Sequence, residues 1–301
     1  MEKDSKKLGN WINSELPQIS SKLEKMNDAS YLQDYTISFS GKERVKKILF
    51  HFRSALFPGI YEKCTINKNN LDLYIGNNIR EAAMELREII KQAFRYCCNN
   101  KECDQCPIDP DQLVIDFLKT LPDIRRKLQT DIEAAYLGDP AAKSHEEIML
   151  SYPSLEMMSI HRIANELYKL DIPLVPRMMN EYGHRVTGID IHPGASIGEY
   201  FFMDHGTGIV IGETAVIGNN VKIYQGVTLG ARSFELDDQG NPIKGTKRHP
   251  NIEDNVIIYS HATILGGDTV IGHNSIIGAS VWLMQSVPPH SKIYNNLGSK
   301  K

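Results

Sequence analysis

His205 follows Asp204 in the run MDHGTGIVIG, Met203 to Gly212, and Arg248 precedes His249 in KRHP. A neutral imidazole can take a proton from a hydroxyl near pH 7, a neighbouring carboxylate can fix its tautomer, and a guanidinium can hold a carboxylate through two parallel hydrogen bonds. Taken singly, the Asp204–His205 step is equally a solvated turn, and Arg248–His249 is equally a solvated basic corner. A physical case for chemistry comes from their combination, and so from the elements that carry them.

Past Gly188 short aliphatic beats recur six residues apart. Ile191 and Ile197 share one phase; Ile211, Ile217, Ile223 and Leu229 a second; Ile252, Ile258 and Ile264 a third; Ile271, Ile277 and Leu283 a fourth. A small or β-branched residue stands two places before most of them, as at Ala195, Ala215, Val221, Val256 and Ser275, and glycine often follows. Alternation alone would suit any half-buried strand, whereas a fixed period of six predicts a parallel β-helix with three hexapeptides per coil.

The phase breaks are informative. Ile197 and Ile211 are 14 apart where two hexapeptides span 12, and the surplus interval holds Asp204 and His205. Leu229 and Ile252 are 23 apart, with the surplus in ARSFELDDQGNPIKGTKRHP, which is too polar to continue a coil. It must be a loop thrown out from the prism, and irregularities of a solenoid are where function is placed.

Before Gly188 the apolar spacing is helical from about Arg80 to Glu181, as in Leu86, Ile89, Ile90, Ala93, Phe94 and Cys97. Asp111 is positioned to cap one helix and Pro122 to open the next, which Gly138 stops. Ser144 with Glu147 has capping-box spacing, and Ser154 is placed to cap a helix through Leu167. The first 80 residues are less defined: Val45 to Phe57 reads as one more helix and the stretch around Cys64 as a loop. The predicted class is α + β. An N-terminal all-helical domain (1–188, with 1–80 a poorly defined extension) precedes a β-helix domain (189–290, with an excursion loop 231–248) and a C-terminal tail (291–301).

The 301 residues are enough for two domains, and a net charge of -3 gives no global pull toward nucleic acid or an anionic membrane. MEKDSKKLGNW has no apolar stretch behind it, and no run has the length to cross a bilayer. Of 5 cysteines, Cys97, Cys98, Cys103 and Cys106 lie close together, unlike a secreted disulfide framework. The expectation is a soluble, unexported protein of a reducing cytoplasm. The cluster holds one CxxC beside an adjacent CC pair, poor geometry for tetrahedral zinc, and reads as loop or buried thiols.

DIHPGASIG, MDHGTGIVIGETAVIG, VTLG, KRHP and SVPPH, in that order on a hexapeptide β-helix behind a helical domain, resemble the serine O-acetyltransferase family. The resemblance covers about Thr130 to His290 and implies a left-handed β-helix. It also implies a general base at His205, an orienting carboxylate at Asp190, and substrate acids at Asp139 and Asp204. Arg248 and His249 would grip the substrate carboxylate. Acids for the ammonium, a guanidinium for the carboxylate and an imidazole over the hydroxyl suit L-serine. The implied donor is acetyl-CoA, lying along a groove with contacts at Gly230, Ala231, Ser260 and His261; no metal is expected. The family's site lies between subunits of a trimer, and a dimer of trimers or a trimer is expected.

Three departures qualify the match. YSHA, Tyr259 to Ala262, stands where the family has small residues, so Tyr259 and His261 either narrow the groove or contact the cofactor, or are a tolerated surface change; the loop from Arg232 to Lys247 is longer than usual and either closes over the site or is solvated. The tail KIYNNLGSKK lacks the family's Gly-x-Pro-Ala turn and its C-terminal isoleucine, so no stable complex with O-acetylserine sulfhydrylase is expected. Alternatives are another acceptor (homoserine, phosphoserine or a sugar), a hexapeptide-fold carbonic anhydrase, and a non-catalytic scaffold. The carbonic anhydrase would need three zinc-binding histidines, and His205, His249 and His261 are widely dispersed for that.

Overall fold

The computed structural model describes residues 2–26, 37, 39–61, 66, 68–97, 109–233 and 236–295. Helices come first: α1 (Glu2–Ser14), α2 (Leu16–Met26), α3 (Phe39–Leu56), α4 (Leu71–Cys97), α5 (Pro110–Leu118), α6 (Leu121–Gly138), α7 (His145–Ser151), α8 (Pro153–Lys169) and α9 (Val175–Thr187). The helix read from Val45 to Phe57 is α3, which starts earlier. Cys98, Cys103 and Cys106 lie outside the described residues, as does the side chain of Cys97 and the stretch around Cys64. Among the described residues no helix is long and apolar enough to cross a membrane.

Two caps differ from the sequence reading. Asp109, not Asp111, caps α5, accepting from the backbone of Asp111 and Gln112. Pro110 at the first helical position leaves only the preceding residue to cap, and Asp111 pairs with Arg87 instead. The same holds at α8, where Pro153 moves the cap back to Tyr152 and places Ser154, buried, inside the first turn. The Ser144 cap stands as read: its hydroxyl accepts from Glu147 N at 3.1 Å, and the Glu147 carboxylate accepts from Lys143 N at 2.7 Å.

From Asp190 to Ile293 the chain winds a left-handed parallel β-helix of three sheets. The first face stacks β1 (Asp190–Ile191), β4 (Val210–Ile211), β7 (Thr228–Gly230), β10 (Thr263–Leu265) and β13 (Trp282–Leu283). The second stacks β2 (Ser196–Ile197), β5 (Val216–Ile217), β8 (Asn251–Ile252) and β11 (Val270–Ile271). The third stacks β3 (Phe202–Asp204), β6 (Lys222–Tyr224), β9 (Ile257–Ile258), β12 (Ile276–Ile277) and β14 (Lys292–Ile293). Every aliphatic beat from Ile191 to Ile277 is buried and stacks on its equivalent, as in Ile191, Ile211, Leu229 and Ile264. The small residues two places earlier, such as Ala195, Ala215, Val256 and Ser275, are buried beside them.

The first coil has no coil above it, so its strand carbonyls need other donors. The helices supply them. Arg162 of α8 donates to the carbonyls of Ile197 (3.2 Å) and Gly198 (2.8 Å), Asn165 to Pro193 (2.7 Å) and Ala195 (3.1 Å), and Asn180 of α9 to Ile191 (2.6 Å). Asp131 of α6 holds Arg162 through two hydrogen bonds of 2.6 and 2.7 Å and also accepts from Phe201 N at 3.1 Å. A buried ion pair thus joins two helices to the top of the prism.

Candidate active site

The three faces meet at edges, and the site residues occupy two of them. At the edge between the third and first faces, the two surplus residues bulge out between β3 and β4, lengthening that coil to the 20-residue register of Asp190 on Val210. His205 takes a left-handed backbone, φ 59°, at the start of the bulge, and 71% of its side chain is exposed. Asp204 closes β3 with its carboxylate 3.9 Å from His205 Nε2.

Asp139 reaches the same place from the helical side. It caps the C-terminus of α6, and the Gly138 before it rests on Phe202, where an added Cβ would come within 2.9 Å of the ring. One Asp139 oxygen accepts from Ala141 N (2.8 Å) and the other from the Tyr152 hydroxyl (2.5 Å). The hydrogen bond from Tyr152 holds the Asp139 carboxyl below the usual carboxylate range, and the same bond pushes the phenol up to about 12. Lys222 straps the two sides together, 2.7 Å from the Gly138 carbonyl and 3.0 Å from Asp204 Oδ2. Asp139, Tyr152, Asp204 and His205 line one cavity of about 340 Å³. Two acids against one lysine leave a net charge of about -1, the complement of a single ammonium.

Arg248 and His249 stand at the edge between the first and second faces. The excursion loop returns there, and Thr214 of the coil above receives it: Thr214 Oγ1 accepts from Arg248 N (2.9 Å) and His249 N (3.1 Å). Arg248 pairs with Glu213, which also accepts from Tyr168 of α8 at 2.7 Å. Burial opposes ionisation of Glu213, but these two donors prevail and hold its carboxyl below the usual range. Burial, with the charge of Arg248 beside it, lowers His249 to about 4. His192 lies at the same edge two coils above His249, its ring edge-on to Tyr168 at 5.6 Å, and burial lowers it too.

Asp190 starts β1 half-buried, paired with Val210. Among the described residues no hydrogen bond or ion pair joins it to His205. Ser260 and His261 form the turn before β10, on the His205 edge, with the His261 ring against the backbone of Gly226. Gly230 ends β7 and Ala231 follows, on the Arg248 edge. A strand of the first face separates the two groups, so a single chain does not gather the expected set in one place. Within the loop, Asp237 accepts from Gln239 N (2.9 Å) and Asn241 N (2.8 Å), which commits that acid to its own turn. Tyr259 stacks on Tyr224, ring centres 5.1 Å apart.

Sequence reasoning missed Tyr152, Lys222, Glu213, Thr214 and His192. The GET triplet beside DHGTG and the histidine inside DIHP were visible, but their partners lie far along the chain.

No protein-family model matches the chain. It is similar to a plasmid-borne serine acetyltransferase of Synechococcus elongatus, 45% identical over 87% of this chain and 83% of the relative. Among solved structures it is similar to serine acetyltransferase 1 of Entamoeba histolytica in complex with L-cysteine, with 36% identity, coverage of 83% and 86%, and a TM-score of 0.71. The serine acetyltransferase of Neisseria gonorrhoeae in complex with serine is 26% identical, with coverage of 84% and 95% and a TM-score of 0.54.

Proposed function

The chain belongs to the serine acetyltransferase family, and from that premise we propose how its residues carry the reaction. It is an acyltransferase that moves an acetyl group to the serine hydroxyl. In our reading acetyl-CoA is the donor. His205 takes the proton from the hydroxyl as that oxygen attacks the thioester carbonyl, and Asp190 orients the ring and stabilises the imidazolium once the exposed His205 side chain turns toward it from its present approach to Asp204. Collapse of the tetrahedral intermediate breaks the carbon–sulfur bond, and His205 returns the proton to the departing sulfur. No acyl-enzyme is needed. Asp139 and Asp204 hold the ammonium, with Lys222 offsetting one charge, while Arg248 and His249 hold the carboxylate.

The observation that carries this reading is the meeting of Asp139, from the helices, with Asp204 and His205, from the β-helix, in one cavity. Because Arg248 projects from another edge, we propose that each site is shared between neighbouring chains of a trimer, with two trimers paired. Acetyl-CoA laid between the two edges would meet Ser260 and His261 on one chain and Gly230 and Ala231 on the next. The cysteine usage supports a cytoplasmic setting. Cysteine, bound in the Entamoeba relative, would fit the same ammonium and carboxylate holders and compete with serine.

The test is CoA release from acetyl-CoA with L-serine, L-homoserine or O-phospho-L-serine, for wild type and His205→Ala. Serine-dependent release that collapses in the variant is expected. Release with another acceptor alone would change the substrate, and a rate flat against added cysteine would remove the competition.

A further inference from the structure

Thr214 meets His249 in a way that fixes where the imidazole proton sits. The backbone nitrogen of Thr214 lies 3.1 Å from His249 Nδ1, and its hydroxyl lies 2.9 Å from the same atom. A backbone N–H only donates, so Nδ1 is the acceptor, and in a neutral ring the proton is on Nε2. The hydroxyl obeys the same logic. Oγ1 accepts from the backbone nitrogens of Arg248 and His249, which fill its two lone pairs, so its own hydrogen is left for Nδ1.

A proton on Nδ1 would face two donors with no acceptor. Burial of the residue, 7% exposed, disfavours the imidazolium as well. The ring lies flat over Gly212, where a Cβ would overlap Cδ2 and Nε2. Among the described residues Nε2 has no partner, and it is not sealed from solvent. Nε2–H is therefore the ring's uncommitted donor, on the residue that follows Arg248.

We propose that Thr214 is a positioning residue that keeps His249 a neutral Nε2–H donor, so that this histidine binds an anionic oxygen, the acceptor's carboxylate, and takes no part in proton transfer. The inference rests on the reading that Arg248 and His249 hold that carboxylate. It divides the labour of the two histidines. His205 is largely exposed, with Asp204 3.9 Å from Nε2, and among the described residues no backbone N–H fixes its ring; His249 is locked by a donor that cannot reverse. Arg248, already paired with Glu213, and a neutral N–H on the next residue supply donors to a carboxylate without adding a second cation.

The test begins with nitrogen NMR of histidine-labelled full-length protein, the His249 signals identified by their loss in His249→Gln. The Nε2–H tautomer is expected from about pH 8 down to about pH 5 with no titration between. Thr214→Val, which removes the hydroxyl but keeps the shape, should raise KM for serine about tenfold while kcat falls less than about threefold, and Thr214→Ser should restore both. An Nδ1–H tautomer, an imidazolium at pH 6, or a wild-type KM in Thr214→Val would overturn the proposal. If Thr214→Val does not fold, the spectrum of the wild type decides alone. That spectrum needs no turnover, so a wild type without serine-dependent activity would remove the functional reading and leave the tautomer to be judged separately.

Discussion

The Tyr152 hydroxyl stands 2.5 Å from Asp139 Oδ2, so the residue that caps α8 also fixes the acid that ends α6. Tyr152→Phe should raise KM for serine about fivefold with a smaller change in kcat, because a charged acceptor loses one oriented donor at a partly solvated site. The pH dependence moves with it. Asp139 is held below the usual carboxylate range chiefly by Tyr152, so without the phenol it protonates at higher pH, and serine binding fails earlier on acidification. Acid limbs of kcat/KM that coincide in wild type and variant would count against this role.

Gly212 and Gly198 should separate site from scaffold. An alanine at 198 would press its Cβ to 2.6 Å from the Gly218 carbonyl of the next coil, a backbone atom that cannot yield. At 212 the obstacle is the His249 ring. Gly198→Ala is expected to lower Tm by several degrees, on the order of 2 kcal/mol of lost stability. Gly212→Ala should lower Tm less than Gly198→Ala, because a side chain and not a backbone must move, and raise KM for serine as the ring swings away from Thr214. Equal effects on both quantities in both variants would refute the distinction.

Asp131→Asn tests the joint between helices and prism. Asp131 and Arg162 are both buried, and burial pushes the Asp131 carboxyl up against the pull of the guanidinium. Removing the charge leaves Arg162 buried and unpaired, which should cost about 3–5 kcal/mol in urea unfolding. A loss under about 1 kcal/mol would mean that water or the Ile197 and Gly198 carbonyls suffice to hold the guanidinium.

Acid should weaken the fold through two imidazoles. Burial lowers His161 to about 3 and His249 to about 4, against about 6.5 in an unfolded chain. Around His249 the facing charged groups are Arg248, Lys247, Glu213 and His192. Since the unfolded chain binds the extra protons, stability is full above about pH 6.5 and declines as pH falls toward 4, by up to about 3 kcal/mol for His161 and by less for His249, which keeps some solvent. The slope of Tm against pH should be shallower in His249→Asn than in wild type, and identical slopes would contradict the linkage.

What the sequence disclosed depended on how far apart the interacting residues are. The inward column from Ile191 to Ile277 was legible because one backbone coil repeats the same inside position at a fixed interval, and every member is buried. The bulge at His205 was legible as a broken interval. The caps at Asp109 and Tyr152 were misplaced by two residues because a proline at the first helical turn shifts the cap to the residue before it. Lys222 on the Gly138 carbonyl, 84 residues away, and Thr214 on His249, 35 away, leave no periodic trace. They exist only after the helical region docks on the first coil and the loop returns to the second.

The division of the site between two prism edges gives a complementation test. His205→Ala and Arg248→Ala should each be nearly inactive alone. If one chain supplies His205 and its neighbour Arg248, mixed oligomers contain some sites with both residues intact, roughly a quarter of them for random equal mixing. Coexpression with two different affinity tags, followed by purification through both, isolates those mixtures. Recovered activity near that fraction, with KM for serine close to wild type, is expected. Mixed oligomers as inactive as either parent would mean that each chain builds its own site, and the carboxylate partner of a serine bound at Asp139 and Asp204 would then have to be sought on the His205 edge itself.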